Sequence, residues 1–202
     1  MDPALPVSWR DIPTLRGRHA VLEPLAREHH DGLCEAVRDS GLDRLWYAIV
    51  PDEDTMAGWI DKALATQREG SAWPFVVRDR DGRIVGATRF YNMAPDVPKV
   101  LLGYTWYAPR VQRTGVNTEA KLMLLRHAFE VLGCVNVSFE TSWFNHASRA
   151  AIARLGARQD GVLRNARRHS DGSLRDTVVF SILDNEWPAV RRHLQARLDA
   201  HP

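Results

Sequence analysis

The chain has 202 residues, of which 45% are hydrophobic and 26% are charged, and its net charge is +2 at pH 7. This composition is typical of globular proteins and excludes a disordered chain, and the length predicts a single domain over residues 1–202. No apolar run reaches the roughly 18 residues of a membrane-spanning helix, and we expect no secretory signal. Two scattered cysteines, Cys34 and Cys134, favour a reducing, cytoplasmic location over a disulfide.

The charge is distributed unevenly along the chain. Residues 1–100 hold 13 basic and 16 acidic side chains, whereas residues 101–202 hold 14 basic and nine acidic ones. The basic half favours an anionic ligand. The small net charge argues against a dedicated nucleic-acid-binding protein, which usually presents a strongly basic face. The eight histidines show no metal-binding spacing, so we predict no metal site.

In chain order, the periodicity of apolar residues predicts a strand, two helices, three strands, a long helix, a strand, a short helix, a hairpin and a final helix. The predicted strands are 19–23, 73–78, 83–91, 100–107, 135–141, 162–167 and 176–182. The predicted helices are 27–37, 54–65, 118–132, 145–155 and 186–198. Asp-Gly pairs at 81–82 and 171–172 indicate antiparallel hairpins. The helical connection between strands 100–107 and 135–141 requires parallel pairing nearby, so the fold class is mixed α/β.

The most informative segment is the loop between strand 100–107 and the long helix, which contains Gln112-x-x-Gly115-x-Asn117. Free N–H groups and the positive end of the dipole at a helix start suit a phosphate or pyrophosphate. Gly115 has no Cβ to keep such a group away, and Arg110 and Arg113 add positive charge. On spacing alone, a helix cap with a turn at Gly115 explains the pattern about equally well.

Gln112-x-x-Gly115-x-Asn117 resembles the acetyl-CoA pyrophosphate motif of the GNAT superfamily, (Q/R)-x-x-G-x-(G/A), with Asn117 replacing the last small residue. Downstream, Asn145-x-x-Ser148 is similar to a segment of the RimJ/RimL-type branch, which acetylates ribosomal-protein N-termini. Asp160 followed by glycine resembles the carboxylate–Gly turn of the same branch. The resemblance spans residues 15–183.

The resemblance implies the GNAT fold, a splayed, mostly antiparallel seven-stranded sheet flanked by helices, with a parallel pair at the acetyl-CoA cleft. The cleft would lie between strands 100–107 and 135–141, where backbone groups of Tyr107 and the side chain of Asn145 would contact the pantetheine arm. Asn145 is also a preferred helix cap, and both roles are compatible. The resemblance implies that the pyrophosphate is bound by the loop residues Gln112, Arg113, Thr114, Gly115, Val116 and Asn117.

The chemistry implied is direct attack of a neutral amine on the thioester, without a covalent enzyme intermediate. The position of the tyrosine acid found in many members holds Ile152 here, so Ser148, near the sulfur, becomes the expected proton donor to the thiolate. The fourth-strand position that holds a glutamate base in some members aligns with Leu101. Asp160 is therefore the first candidate base and Glu140 the second, although a turn-forming role explains Asp160 equally well.

The resemblance predicts an N-acetyltransferase with acetyl-CoA as co-substrate, and its acceptor is a peptide or protein N-terminal α-amine or a small-molecule amine. A weakly assembled base fits an α-amine better than lysine, whose pKa is higher. The alternative is a catalytically inactive acyl-CoA-binding sensor or partner module. We predict no membrane or direct nucleic-acid partner, and the oligomeric state stays open, with a homodimer as one alternative. By the same resemblance, Trp46, Tyr47 and Trp59 lie in the helical region that roofs the acceptor pocket, and Phe90 and Tyr91 end a strand that faces it. Core packing explains most of these aromatic residues, and we expect one or two of them to line the acceptor site.

Overall fold

The computed structural model describes residues 7–38, 40–169 and 171–200. Within these ranges the strands form one eight-stranded sheet in the order β1-β2-β3-β4-β5-β6-β8-β7. The strands are β1 (Leu15–Arg16), β2 (Ala20–Pro24), β3 (Ala72–Asp79), β4 (Ile84–Ala94), β5 (Lys99–Tyr107), β6 (Asn136–Ser142), β7 (Arg158–Arg168) and β8 (Leu174–Leu183). All seven predicted strands are present. The extra strand, β1, has only two residues, which is too short for an alternating pattern to reveal it.

The five predicted helices are also found. They are α1 (His30–Val37), α2 (Met56–Arg68), α3 (Gly115–Arg126), α4 (His146–Arg154) and α5 (Trp187–Asp199). Helix α3 begins three residues before the predicted start and continues as a π-helical segment, His127–Val131. Gly133 follows in the left-handed region, at a φ of +68°, which explains why this position favours glycine. No helix in the described ranges is long and apolar enough to cross a membrane.

The sheet is covered on both faces. On one face, residues of α3 and α5 pack with Phe75 and Val77 of β3. On the other, residues of α1 and α2 pack with Val76 of the same strand. Because successive side chains of a strand point to opposite faces, a strand covered on both sides is apolar at every position. This accounts for the unbroken run of buried residues over 72–77.

Strands β5 and β6 form the one parallel pair of the sheet, and they pair over only three residues each. Lys99–Leu101 lies opposite Asn136–Ser138, after which β5 runs on to Tyr107 and β6 to Ser142 without a shared ladder. On its other side, β5 carries a bulge opposite Thr88 of β4, where Tyr104 has a φ of +51°. Bulges bend strands and increase their twist. The two strands therefore splay apart, and the predicted parallel pair at a cleft is confirmed.

Candidate active site

The splayed strands open a cleft of about 630 Å³, a volume typical of small-molecule sites. Its walls come from β5 and β6, the start of α3, helix α4, the α1–α2 loop and the β7–β8 hairpin. Seven of the predicted site residues line it, and these are Tyr107, Gln112, Arg113, Asn117, Glu140, Asn145 and Ser148. The cleft thus brings together predicted residues from Tyr107 to Ser148, and its full lining runs from Leu42 to Arg175.

The predicted pyrophosphate loop is built by local hydrogen bonds. The Gln112 side-chain amide donates to the Tyr107 carbonyl at 3.4 Å, and this bond holds the loop against the end of β5. Arg113 is in the left-handed region, with a φ of +62°. Thr114 caps α3, because its hydroxyl accepts the Val116 N–H at 3.3 Å. The capping role considered from sequence is therefore confirmed, and the cap occupies the Val116 N–H, one of the groups that the sequence pattern offered to an anion.

The middle of this loop, residues 114–116, faces a second hollow rather than the main cleft. Thr114, Gly115 and Val116 line this hollow together with Arg110 and His19. A Cβ on Gly115 would lie 3.0 Å from the His19 ring, which is closer than ordinary van der Waals contact. A side chain at this position would push the His19 ring by a few tenths of an ångström, a packing reason for glycine that the sequence pattern did not reveal.

Helix α3 is fixed in place by Glu119, a residue that sequence reasoning missed. Its buried carboxylate accepts the backbone N–H groups of Arg18, His19 and Ala20, at 2.8, 2.5 and 2.8 Å. Three charge-assisted bonds offset the cost of burying the charge. The contact ties the β1–β2 turn to the first turns of α3, next to the predicted pyrophosphate loop.

Lys121 is a second residue that sequence reasoning missed. It is buried, it lines the cleft, and its Nζ donates to Thr88 Oγ1 at 3.0 Å and to Thr105 Oγ1 at 2.6 Å. Burial lowers the pKa of Lys121 to about 7, because desolvation disfavours the charged form. A signal was available in the sequence. Lys121 precedes the buried Leu124 by three positions and the buried Leu125 by four, so it shares the apolar face of the helix.

Helix α4 presents the two residues predicted to meet the pantetheine arm and the sulfur. Asn145 caps the helix, with its Oδ1 accepting the Ser148 N–H at 3.0 Å. This bond uses the side-chain oxygen of Asn145 and leaves its NH₂ group available to a ligand. The Ser148 hydroxyl also stays available, since the cap engages only the backbone N–H.

The two candidate bases occupy different environments. Glu140 of β6 lines the cleft and accepts a hydrogen bond from Arg167 at 2.7 Å. Asp160, at a bulge in β7, is exposed, lies apart from the cleft-lining residues and accepts the Ser181 hydroxyl at 2.9 Å. The structure therefore brings Glu140 to the cleft and does not bring Asp160 there.

Aromatic side chains from the α1–α2 loop cover the cleft in part. Tyr47 lines it, and the Trp46 ring packs on Phe144 and His169 at centroid distances of 5.2 and 4.7 Å. Trp59 instead faces Arg89, whose guanidinium lies 5.1 Å from its ring. Tyr91 and its ring partner Tyr104, 5.1 Å away, both line the cleft.

Comparison with known families matches residues 19–158 to the acetyltransferase (GNAT) domain. The chain belongs to the GNAT acetyltransferase family. The predicted family, fold class and enzyme class, an acyltransferase, are thereby confirmed at the level of the family. Among the residues described, no group of three histidine, cysteine or acidic side chains could hold a metal ion.

Several GNAT relatives are similar to this chain. It is 31% identical over 107 residues to a Bacillus subtilis (strain 168) protein provisionally named ribosomal N-acetyltransferase YdaF, a match over 53% of this chain and 57% of YdaF. The crystal structure of a GCN5-related N-acetyltransferase from Brucella melitensis superposes with a TM-score of 0.84 at 29% identity, covering 93% and 86% of the two chains. Mycobacterium smegmatis RimJ, in complex with CoA-disulfide, has the same fold at 24% identity, with a TM-score of 0.76 and coverage of 94% and 96%. The two solved structures show that the fold is shared over most of each chain, and the sequence match to YdaF covers a little over half of each protein.

Proposed function

We propose that this GNAT domain, over residues 1–202, transfers the acetyl group of acetyl-CoA directly to a primary amine. The acceptor is a peptide or protein N-terminal α-amine or a small-molecule amine. One observation carries the proposal: Asn117 in the first turn of α3, the unpaired edge of β5 and the α4 pair Asn145–Ser148 all border the same cleft. The edge of β5 offers backbone donors and acceptors to the pantetheine amides, and the α3 start offers N–H groups to the pyrophosphate.

The reaction needs a neutral amine, a polarised thioester carbonyl and a proton for the departing thiolate. The amine nitrogen bonds to the acetyl carbon, the carbon–sulfur bond breaks, and the amine loses one proton while the sulfur gains one. Ser148 is the proposed donor to the sulfur, since its hydroxyl is left available beside the cap. Ile152 also lines the cleft and offers no proton in place of the serine.

Glu140 is the better supported base of the two carboxylates. It reaches the cleft and Asp160 does not, so the proton of the attacking amine passes to Glu140 directly or through a water molecule. Arg167 keeps the Glu140 side chain in place by donating to one carboxylate oxygen. The bond from Ser181 favours a structural role for Asp160 at the bulge of β7.

The experiment that tests this function is an acceptor screen with acetyl-CoA. CoA thiol release and product mass would be measured against a panel of peptides with free N-termini and of small amines. We expect acetylated product with at least one acceptor class, and a thiol yield that matches it. Acetyl-CoA binding without thiol release for any acceptor would instead support the alternative of a catalytically inactive acyl-CoA-binding module.

A further inference from the structure

We propose that the acceptor amine carries a carboxylate close to its nitrogen, and that Arg175 binds this carboxylate. The inference rests on the proposed acetyl transfer and narrows its substrate class. It starts from a positively charged group at the end of the cleft formed by the β7–β8 hairpin, which no step of the chemistry above uses.

Arg175 of β8 lies directly across from Arg167 of β7 in the antiparallel ladder. Cross-strand partners project from the same face of a sheet, and both side chains line the cleft. Glu140 lies on the neighbouring strand β6, opposite Val179 of β8. Val179 and Arg175 are an even number of residues apart on β8, so Glu140 and Arg175 project from the same face of the sheet. The hairpin thus presents two guanidinium groups beside one carboxylate.

The one carboxylate is already engaged by Arg167, at 2.7 Å. In the described part of the chain, the buried Nε of Arg175 has no hydrogen-bond partner and no ion pair involves its guanidinium. Desolvation and the nearby Arg167 lower the pKa of Arg175, and Glu140 offsets only part of this shift, although an arginine stays charged at neutral pH. A buried donor left unpaired is costly, so this arrangement favours a ligand that supplies an acceptor.

The charge balance of the cleft points the same way. Among the cleft-lining residues that the structure describes, Glu140 is the one acidic side chain, and the basic ones are Arg113, Lys121, Arg154, Arg167 and Arg175. Arg113 belongs to the predicted pyrophosphate loop, on the β5 side of the cleft. Arg175 lies across β6 from that loop in the sheet order. We therefore assign Arg113 to the phosphates of acetyl-CoA and Arg175 to a different anionic group.

The pattern of charges matches an acceptor that bears both an ammonium and a carboxylate group. The Arg175 guanidinium presents a planar fork of donors that fits a carboxylate. The neighbouring Glu140 attracts the protonated amine and takes its proton. Two sources supply this chemistry, a free amino acid and a peptide with an acidic residue next to its N-terminus.

Matched acceptor pairs test the inference and separate the two sources. One pair is alanine and alaninamide, and the other is the tripeptide amides Ser-Asp-Ala and Ser-Asn-Ala. Rates are compared at equal concentrations of neutral amine, because the members of a pair differ in amine pKa. We expect kcat/KM to be at least about tenfold higher for the anionic member of one pair, the effect of one charge-assisted hydrogen bond.

Arg175→Gln should abolish this preference and leave the affinity for acetyl-CoA unchanged, while Arg175→Lys should retain part of the preference. Arg164→Gln is the matched control, since Arg164 lies on β7 outside the cleft lining, 80% exposed and paired with Asp176 at 2.6 Å. A preference that survives in Arg175→Gln would overturn the inference. So would a loss of acetyl-CoA affinity in that variant, because Arg175 would then serve the co-substrate.

Calorimetric binding of the acetylated products in the presence of CoA gives a readout independent of turnover. N-acetylalanine should bind more tightly than N-acetylalaninamide, or the acetylated Asp peptide more tightly than its Asn counterpart, in wild type and not in Arg175→Gln. Equal binding, together with equal turnover of neutral and anionic acceptors, would overturn the carboxylate site and leave acetyl transfer standing. Selective binding without turnover of any acceptor would support the carboxylate site and overturn the proposed function.

Discussion

The Nζ of Lys121 donates a hydrogen bond to the Thr105 hydroxyl at 2.6 Å, and this contact joins α3 to the bulged strand β5. Thr88 of β4 completes the cluster, because its hydroxyl lies 2.8 Å from that of Thr105 and 3.0 Å from Nζ. Helix α3 opens with the predicted pyrophosphate loop, and Thr105 lies where β5 has parted from β6. The lysine therefore links the two elements that shape the cleft.

This burial predicts a pH-dependent stability. The pKa of Lys121 is about 7 in the folded chain, against about 10.4 for an unperturbed lysine. Between these pH values the unfolded state holds a proton that the folded state lacks, so the Lys121 contribution to the free energy of unfolding rises with pH. The full difference is on the order of 5 kcal/mol.

Lys121→Met removes this dependence, and denaturant unfolding at several values between pH 7 and pH 10 measures it. We expect the stability of wild type relative to Lys121→Met to increase steadily across this range. A constant difference would mean that Lys121 keeps its proton in the folded chain.

The Gly115 position predicts a steric effect that a second substitution relieves. Gly115→Ala places a Cβ 3.0 Å from the His19 ring, which must move and disturb the loop. We expect acetyl-CoA affinity to fall by about tenfold, as for the loss of one or two hydrogen bonds, with the fold retained. Titration calorimetry measures the affinity.

The double variant His19→Ala/Gly115→Ala should recover most of the lost affinity, because the ring that the Cβ meets is gone. Gly58→Ala is the matched control, since a Cβ at this helical position meets no atom within 4 Å and removes a helix-destabilising glycine. If the double variant does not recover the affinity for acetyl-CoA, the Cβ of residue 115 clashes with the pyrophosphate itself rather than with the His19 ring.

Ser148→Ala should lower kcat at least about tenfold, with little change in acetyl-CoA affinity. The expected pattern is that of an interaction made chiefly in the transition state. Asn145 accepts the backbone N–H of Ser148, so the substitution leaves the helix cap in place. Steady-state kinetics and acetyl-CoA titration of the same preparation separate the two effects, and an unchanged kcat would assign the thiolate proton to water or another group.

The sequence predicted most of the fold, because helix and strand periodicities are local properties. Leu122, Leu125 and Phe129 recur at helical spacing and indicate a helix over 118–132, and the structure shows this helix starting at Gly115 and ending in a π-helical segment. Glu119 and Lys121 could not be assigned in this way. Their roles depend on the 18–20 turn and on Thr88 and Thr105, which are distant in sequence and meet them only after folding.

The same limit applies to the two candidate bases. Asp160 and Glu140 are both carboxylates near the end of the predicted sheet, and their spacing does not say which one reaches the cleft. The bulge in β7 and the bond to Ser181 decide the position of Asp160. These features arise from pairing between β7 and β8, and the local periodicity of the sequence does not determine the register of that pairing.

The different surroundings of the two carboxylates predict different pH–rate profiles. A base matters most where the amine is protonated, and a free α-amine has a reference pKa of about 7.7–8.0. Glu140→Gln should therefore reduce kcat/KM most at pH 6 to 7, by about 10²-fold, which is typical of general base catalysis. The defect should shrink as pH rises past the acceptor's own pKa, because solvent then supplies the neutral amine.

Asp160→Asn is the matched control. Since Asp160 contacts Ser181 and not the cleft, its profile should run parallel to that of wild type. A pH-dependent defect in Asp160→Asn with a parallel profile in Glu140→Gln would reverse the assignment, and parallel profiles in both variants would leave proton removal to solvent.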